Sequence, residues 1–427
     1  MIAYGADAEL GWTAQAATRC LASGGWSGGM PTEGKASIGP LHHDDRFTLT
    51  CDGEGGTEVT SLEVKVADHP LQASYPDYRF VELPGTEMKP LCQTDYPYQL
   101  LADCSSRELS AAYVPEQNAY YLFGGADRSY FGNEVISLRL DQPELSVVYG
   151  PSDPRETLNF KAGHEGAWDM IGDCRGVWDL KDGGVAPAPA RVYSSWIYAP
   201  PAQKILKNSG RVACGSSWFD TDSWWFDPAD QTWQLRAREG WIDANGSHAV
   251  YDPDTNLIFL FGRDGFYRFD PAKDELLEIG AFNDVPWSTT PVLDPVNDLI
   301  LIIGNGDYQY SRFTVIDIRG VDADTRSLPD QQIWTATGDL SLLDVKSPGL
   351  AYDPDRNVLV GWGGGDKLYF LNVDREAHKV EFITRTLDQA PSATGPLGNT
   401  FLYAEKEKAF VAFTGADSNF HLLKAKD

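Results

Sequence analysis

Three side chains in one irregular stretch have the chemistry needed to remove a proton from an acidic sugar. His164 lies in the segment 161–169, and Arg191 and Tyr193 follow a stretch rich in proline and alanine. β-Elimination from a uronic acid needs a base such as histidine, an acid such as tyrosine and a cation such as arginine that offsets the carboxylate charge. One hypothesis is therefore a polysaccharide lyase. The alternative is that His164 is an ordinary loop residue and that Tyr193 packs against a neighbouring sheet.

A second set of residues could bind a ligand without reacting with it. Aromatic rings in loops stack on the apolar faces of sugars, and carboxylates accept hydrogen bonds from sugar hydroxyls. The leading hypothesis is thus a protein that recognises a glycan, or a protein ligand, through aromatic and acidic loops on one face. The candidate ligand-binding residues are Trp168, Trp218, Asp222, Tyr308 and Tyr310.

Metal and cofactor signals are weak. The tandem His42-His43-Asp44-Asp45 has ligand types that suit zinc or manganese, but adjacent strand residues point to opposite faces, so an exposed polar loop is favoured. Aspartates in repeated Asp-Pro pairs could hold structural calcium, although turn chemistry explains them better. No phosphate-binding loop, dinucleotide fingerprint or G-x-S-x-G elbow occurs. No metal ligand is assigned, and the cofactor stays unknown with structural calcium as an open alternative.

A repeat must position these residues. Each copy has a tyrosine or leucine near an Asp-Pro or related pair, then an apolar run and then glycine or an aromatic strand, which is typical of four short β-strands joined by turns. Units of roughly 40 to 60 residues with four strands suit a propeller blade, because each sheet buries its faces only against its neighbours. The copies are anchored at Tyr113, Tyr198, Tyr251, Leu293, Tyr352 and Tyr403.

The double glycine at 124–125, the aromatic residues of the third strands and Trp233, six residues after Asp227, resemble the kelch repeat over residues 108–427. The resemblance implies a propeller fold. It does not select a function, since kelch propellers include both binding proteins and enzymes.

The sequence therefore predicts an all-β, closed β-propeller of about seven four-stranded blades. Residues 1–427 are expected to form this single domain, with the alternating segment 47–66 as the seventh unit and 150–190 as a long insertion or degenerate blade. The last unit supplies three strands, so a strand within residues 1–25 is expected to complete it, because an open sheet edge invites aggregation.

Charge and hydropathy exclude several classes of partner. With 62 acidic against 35 basic residues the formal net charge is -27, which disfavours nucleic acid and acidic membranes in the absence of a basic patch. No apolar run approaches the roughly 20 residues that span a bilayer. The oligomeric state does not follow from the sequence.

The six cysteines are even in number and contain no C-x-x-C pair. Cys92 with Cys104 is the favoured disulfide, with Cys20–Cys51 and Cys174–Cys214 as further candidates; six reduced thiols are the alternative. Disulfides favour an extracellular or periplasmic protein. The first residues, however, lack the basic and apolar regions of a signal peptide.

Overall fold

The computed structural model of the chain is built from short antiparallel strands. None of the helices in the described part of the chain has the length and apolarity needed to span a bilayer. The structure describes residues 1–427 except 42–43, 68, 70, 72–73, 89–90, 92–108, 125–132, 151–176, 180–184, 189, 213–218, 238–246, 263–264, 282–287, 306–311, 394–396, 416 and 427.

The N-terminal segment forms two small sheets of its own. The strands are β1 (Ala6–Thr13), β2 (Ala17–Gly24), β3 (Gly28–Met30), β4 (Glu33–Leu41), β5 (Asp45–Gly53) and β6 (Gly56–Val64). One sheet pairs β1 with β4, and the other has the order β3-β2-β5-β6. Alternating apolar residues let β1 and β5 bury one face, and the buried cluster contains Ala8, Leu10, Leu41 and Phe47.

One predicted disulfide is confirmed in this segment. Cys20 on β2 lies directly opposite Cys51 on β5, and the two sulfurs are bonded. The cysteines of the other two predicted pairs, at 92, 104, 174 and 214, lie outside the described residues.

Six further sheets and one separate pair of strands make up the rest of the described chain. Their strands are β7 (Tyr78–Leu83), β8 (Leu109–Val114), β9 (Ala119–Gly124), β10 (Val135–Arg139), β11 (Glu144–Tyr149), β12 (Val177–Asp179), β13 (Val185–Pro187), β14 (Ala190–Arg191), β15 (Trp196–Ala199), β16 (Lys204–Val212), β17 (Phe219–Asp227), β18 (Thr232–Ala237), β19 (His248–Asp252), β20 (Leu257–Phe261), β21 (Phe266–Asp270), β22 (Glu275–Gly280), β23 (Thr290–Asp294), β24 (Leu299–Ile303), β25 (Phe313–Asp317), β26 (Thr335–Gly338), β27 (Gly349–Asp353), β28 (Val358–Trp362), β29 (Lys367–Asp374), β30 (Lys379–Thr386), β31 (Leu402–Ala404), β32 (Ala409–Ala412) and β33 (Phe420–Ala425). Short 3-10 helices span Pro115–Gln117, Pro200–Ala202 and Leu340–Asp344.

Most of these sheets have the antiparallel meander that the repeat predicts. The first is β8 to β11, the second β15 to β18 with β14 added, and the third β19 to β22. The fourth has three strands, β23 to β25, and the fifth is β27 to β30 with β26 added in parallel to β30. The sixth contains β31, β32, β33 and β7. The small pair β12–β13 stands apart from these sheets in its hydrogen bonding.

The arrangement of the six sheets is propeller-like. Their first strands touch in the order β8, β15, β19, β23, β27 and β31, and β31 in turn touches β8. Apolar clusters fill the space between neighbouring sheets; the first and second sheets, for example, share Phe123, Trp196, Phe226 and Trp233. The first strands therefore surround a common axis.

Two expectations about the N-terminal region are wrong. The fourth strand of the last sheet is β7, which pairs with β33, whereas residues 1–25 pair within the N-terminal sheets. The segment 47–66, expected to be a seventh blade, supplies β5 and β6 of those same sheets. An alternating pattern indicates a half-exposed strand but not its partner, which explains both errors. Most of the segment 150–190 lies outside the described residues.

The turn after each first strand explains why the repeat keeps its sequence. Asp252 ends β19, and its carboxylate accepts the backbone N–H of Asp254 and the hydroxyl of Thr255. Asn256 then adopts a positive φ of 59°, a conformation that asparagine tolerates well. Its side-chain oxygen accepts a 2.7 Å hydrogen bond from the hydroxyl of Tyr251. The aspartate of such an Asp-Pro pair thus stabilises the turn between the first and second strands, as the sequence predicts.

Candidate functional site

The described part of the chain contains three of the eight residues singled out from the sequence. Arg191 and Tyr193 lie together, with the guanidinium carbon 4.7 Å from the centre of the tyrosine ring. Tyr193 is 2% exposed. Asp222, expected in a ligand-binding loop, is buried within β17. The remaining five, His164, Trp168, Trp218, Tyr308 and Tyr310, lie outside the described residues.

A cavity of about 400 Å³ lies on the axis, between the first strands of all six sheets. Its wall is largely apolar, with small residues such as Ala111, Ala249 and Ala351 leaving the space open. Where the first strands turn into the second strands, prolines line it: Pro115, Pro200, Pro253, Pro295 and Pro354.

Five tyrosines encircle the cavity just inside these prolines. Each comes from a different sheet, and Leu293 takes the sixth position in the fourth sheet. The five, called here the tyrosine belt, are Tyr113, Tyr198, Tyr251, Tyr352 and Tyr403. They are the anchor residues of the repeat and can be identified from the sequence. The repeat itself indicates only a structural role for them, because a local pattern does not reveal which residues surround the axis.

Every hydroxyl of the tyrosine belt donates a hydrogen bond. Tyr113, Tyr251 and Tyr352 donate to the asparagine five positions later, over 2.9, 2.7 and 2.7 Å. Tyr198 donates to Oε2 of Glu116 over 2.8 Å, and Tyr403 donates to Oδ2 of Asp355 over 2.7 Å. Each hydroxyl oxygen keeps lone pairs that can accept a further bond. The belt therefore offers acceptors to a ligand, together with aromatic surface.

Burial and nearby carboxylates keep the belt un-ionised. Burial raises the pKa of Tyr113 to about 12. Burial, followed by the hydrogen bond to Glu116, raises the pKa of Tyr198, and burial with the hydrogen bond to Asp355 raises that of Tyr403. A phenol in such surroundings stays neutral at physiological pH.

Carboxylates surround the mouth of the cavity. Glu116, Asp254 and Asp355 each follow one of the lining prolines, and Glu405 lines the cavity itself. These four residues are called here the acidic rim. The Nζ of Lys408 lies 3.3 Å from Oδ1 of Asp355 and offsets part of the negative charge of the acidic rim. A rim of this sign repels anions and admits neutral or cationic compounds.

The opposite end of the cavity carries polar residues. Ser194, Gly398 and Asn399 line it. Backbone hydrogen bonds join neighbouring sheets there, from Ala249 N to Ser194 O over 3.2 Å and from Gly398 N to Ser347 O over 2.8 Å. A third such bond runs from Ala111 N to Asn399 O over 2.7 Å. The cavity therefore has an acidic mouth at one end and, at the other, an end where backbone hydrogen bonds join neighbouring sheets, called here the stitched end.

Metal binding finds no support in the described ranges. No group of three or more His, Cys, Asp or Glu side chains lies close enough together there to hold an ion. His42 and His43 of the tandem motif are outside those ranges.

Comparison with known proteins gives remote similarity to solved structures alone. No protein-family model matches the chain, and no curated protein sequence matches it. A gluconolactonase from Xanthomonas campestris is 11% identical, with 84% of this chain and 93% of that chain covered and a TM-score of 0.46. An auxiliary nutrient binding protein from Bacteroides ovatus is 12% identical, with 100% and 96% covered and a TM-score of 0.44. Likenesses this remote carry no argument about this chain.

Proposed function

We propose that this chain is a ligand-binding protein whose axial cavity takes a small, neutral, hydroxyl-rich compound, a mono- or disaccharide or the end of a glycan. The observation that carries the proposal is the tyrosine belt around a cavity of about 400 Å³. Small-molecule sites have volumes of about 300 to 1,000 Å³ and combine apolar walls with a few polar groups. The cavity falls within that range.

The chemistry of the wall favours a ligand rich in hydrogen-bond donors. The belt hydroxyls donate to protein groups and retain acceptor capacity, and the acidic rim consists of acceptors. Sugar hydroxyls can donate to these acceptors, while the C–H face of a sugar packs on tyrosine rings. The stitched end at Ser194 and Gly398 favours a short ligand over a chain threaded along the axis.

The proposal also covers the architecture of the six sheets and the cellular compartment of the protein. The six sheets would form one closed propeller of the kelch-like type predicted from the repeat, with β7 completing the last blade. Export to an extracellular or periplasmic compartment is supported by the disulfide between Cys20 and Cys51, since such bonds persist in oxidising surroundings.

Calorimetric titration with a panel of neutral sugars, glucosamine and glucuronate tests the binding proposal. Neutral sugars should bind, and glucuronate should bind at least about tenfold more weakly because of the acidic rim. Tyr352→Ala should weaken binding by about tenfold or more, the loss expected for one aromatic contact. The control, Tyr149→Ala, changes a tyrosine that packs on Trp233 away from the cavity. Absence of binding by every sugar, or equal losses in both variants, would contradict the proposal.

The lyase remains a second candidate because Arg191 and Tyr193 lie side by side. The hypothesis also requires His164 to reach the same substrate. Incubation with uronic-acid polysaccharides, followed by ultraviolet absorbance of the unsaturated product, tests it. Turnover that disappears in His164→Ala and in Tyr193→Phe would establish this activity, and no absorbance change with any such polysaccharide would exclude it.

A further inference from the structure

A serine and a histidine meet at the stitched end of the cavity. The Oγ of Ser194 and the Nδ1 of His248 are hydrogen-bonded. Ser194 lines the cavity, whereas His248, at the start of β19, is 1% exposed. A parallel bridge between the two residues fixes their backbones against each other. A hydroxyl of a cavity-lining serine is thus held against a buried imidazole, which is the relationship that activates a serine nucleophile.

The second imidazole nitrogen determines which tautomer suits this pair. The Oγ1 of Thr289 lies 3.5 Å from Nε2 of His248. With the proton on Nε2 directed at that oxygen, Nδ1 can accept the proton of Ser194. Phe261 lies beside the imidazole, with ring centres 5.7 Å apart, and limits its rotation. His248 is therefore oriented to act as a base towards Ser194.

Unusual backbone conformations surround the same pair. Tyr193, directly before Ser194, has a φ of 49°, and Ser209 has a φ of 51°. A bulky side chain at positive φ is strained, and such strain is commonly found at functional sites. The hydroxyl of Ser195 donates a 2.6 Å hydrogen bond to Val192 O and braces the bend. The Oγ of Ser209 in turn lies 2.8 Å from the Oγ of Ser247, the residue before His248.

We propose that Ser194 and His248 form a catalytic dyad that hydrolyses small carboxylic esters. The Oγ of Ser194 attacks the ester carbonyl carbon while Nδ1 of His248 takes the hydroxyl proton. The C–O bond to the alcohol breaks, the alcohol leaves with the proton from His248, and Ser194 carries the acyl group. Water then attacks this acyl-serine, His248 again takes and returns a proton, and the acid is released.

The apolar wall and the acidic rim restrict the substrate to a neutral ester that fits about 400 Å³. The proposal uses the cavity of the proposed function but adds a reaction to it. Reactivity of Ser194 can be measured whether or not a sugar binds, so the two proposals fail independently.

A fluorophosphonate probe, which forms a covalent bond with activated serines, tests the dyad on the full-length protein. Peptide mass spectrometry should place the adduct on Ser194, and p-nitrophenyl acetate should be hydrolysed by the same preparation. Both signals should vanish in Ser194→Ala and fall by about 100-fold or more in His248→Gln, the usual loss when a general base is removed. Ser110→Ala is the matched control, because Ser110 is buried in another first strand, and it should react as the unchanged protein does.

Three results would overturn the dyad: no adduct on the unchanged protein, an adduct on another residue, or equal labelling of Ser194→Ala. Thermal unfolding shows whether His248→Gln retains its fold. If it does not, Ser194→Cys replaces it, with His248 intact. A histidine-paired thiol has a lowered pKa and should alkylate with iodoacetamide faster than an ordinary thiol at neutral pH, and an ordinary rate would exclude activation by His248.

Discussion

The hydroxyl of Tyr78 donates a 2.6 Å hydrogen bond to Oδ2 of Asp353, although 275 positions separate the two residues. Tyr78 begins β7, the strand that completes the sixth sheet, and Asp353 ends β27 in the fifth. Burial and then this hydrogen bond raise the pKa of Tyr78 well above its usual range. A buried bond to a carboxylate therefore fastens the completing strand to the neighbouring sheet.

Tyr78→Phe should lower the free energy of unfolding by about 1.5 to 3 kcal/mol, because it removes one buried hydrogen bond to a charged group and keeps the ring. Urea denaturation followed by fluorescence measures the change. Tyr149→Phe, at the end of β11, is the comparison and should change stability by less than about 0.5 kcal/mol. Equal effects of the two variants would mean that the Tyr78–Asp353 bond adds nothing to stability.

The pairing of β7 with β33 predicts a second effect. Val81 and Glu82 lie opposite Leu422 and His421. Adjacent residues of a strand alternate in hydrogen bonding, so proline at both positions must remove at least one ladder bond and should destabilise the fold by about 3 kcal/mol. The double alanine variant at the same positions is the control. If both variants unfold at the same urea concentration, side-chain loss rather than strand pairing explains the effect.

The sequence predicted the sheets better than their assembly. A tyrosine or leucine, an Asp-Pro or related pair and an apolar run recur where first and second strands form, because turn chemistry and burial act within a few residues. The partner of β7 depends on contacts hundreds of residues away, and nothing in its short alternating pattern distinguishes it from β1 or β5. The segment 47–66 was misassigned for the same reason.

The candidate site shows the same limit. Tyr251 and its counterparts were visible as repeat anchors, but their convergence on one axis follows only from the ring of first strands. Ser194 and His248 are 54 residues apart in unrelated local sequences. No short motif relates them, because two neighbouring sheets bring them together. A site formed at the axis by residues from several sheets therefore cannot be predicted from any single copy of the repeat.

The surroundings of Asp339 predict that the stability of the fold falls in acid. Asp339 is 2% exposed and accepts hydrogen bonds from Lys367 and Ser341, over 2.8 Å to Lys367 Nζ. Burial opposes ionisation, but the bonds from Lys367 and Ser341 prevail and lower the pKa of Asp339. A carboxyl whose pKa is lower in the folded state stabilises the fold above its ordinary pKa range. That contribution is lost as the pH falls through the range towards the folded-state pKa.

Asp339→Asn should therefore destabilise the protein by about 2 kcal/mol at pH 7, less than the roughly 3 to 5 kcal/mol lost when a fully buried pair is broken, because Lys367 is partly exposed. The difference from the unchanged protein should shrink as the pH approaches 3. Asp388→Asn is the control, since the Asp388 side chain is 88% exposed beside Lys426. The urea midpoints of both variants and of the unchanged protein are measured at several pH values. If the midpoint of Asp339→Asn differs from that of the unchanged protein by the same amount at every pH, ionisation of Asp339 does not explain the loss of stability.

The Cys20–Cys51 bond predicts local rather than general stabilisation. It joins residues 31 positions apart within the N-terminal sheets, a loop whose closure is worth about 3 to 4 kcal/mol in the chain-entropy account. The double alanine variant should speed amide hydrogen exchange in β2 and β5 and leave β19 and β20 unchanged. Equal acceleration in both regions would show that the N-terminal sheets unfold together with the rest of the chain.

The tyrosine belt predicts an alkaline transition. Burial raises the pKa of Tyr113 to about 12 in the folded state, against about 10 for an exposed tyrosine. A phenol with a raised folded-state pKa stabilises the fold below its unfolded pKa, and this contribution disappears as the pH rises from about 10 to 12. Tyr113→Phe cannot ionise, so its stability should fall less steeply over that interval. Tyrosinate absorbance and urea midpoints between pH 9 and 12 measure both effects. An unchanged slope in Tyr113→Phe, together with belt ionisation near pH 10, would show that the belt is open to solvent and would weaken the case for a ligand-sized apolar cavity.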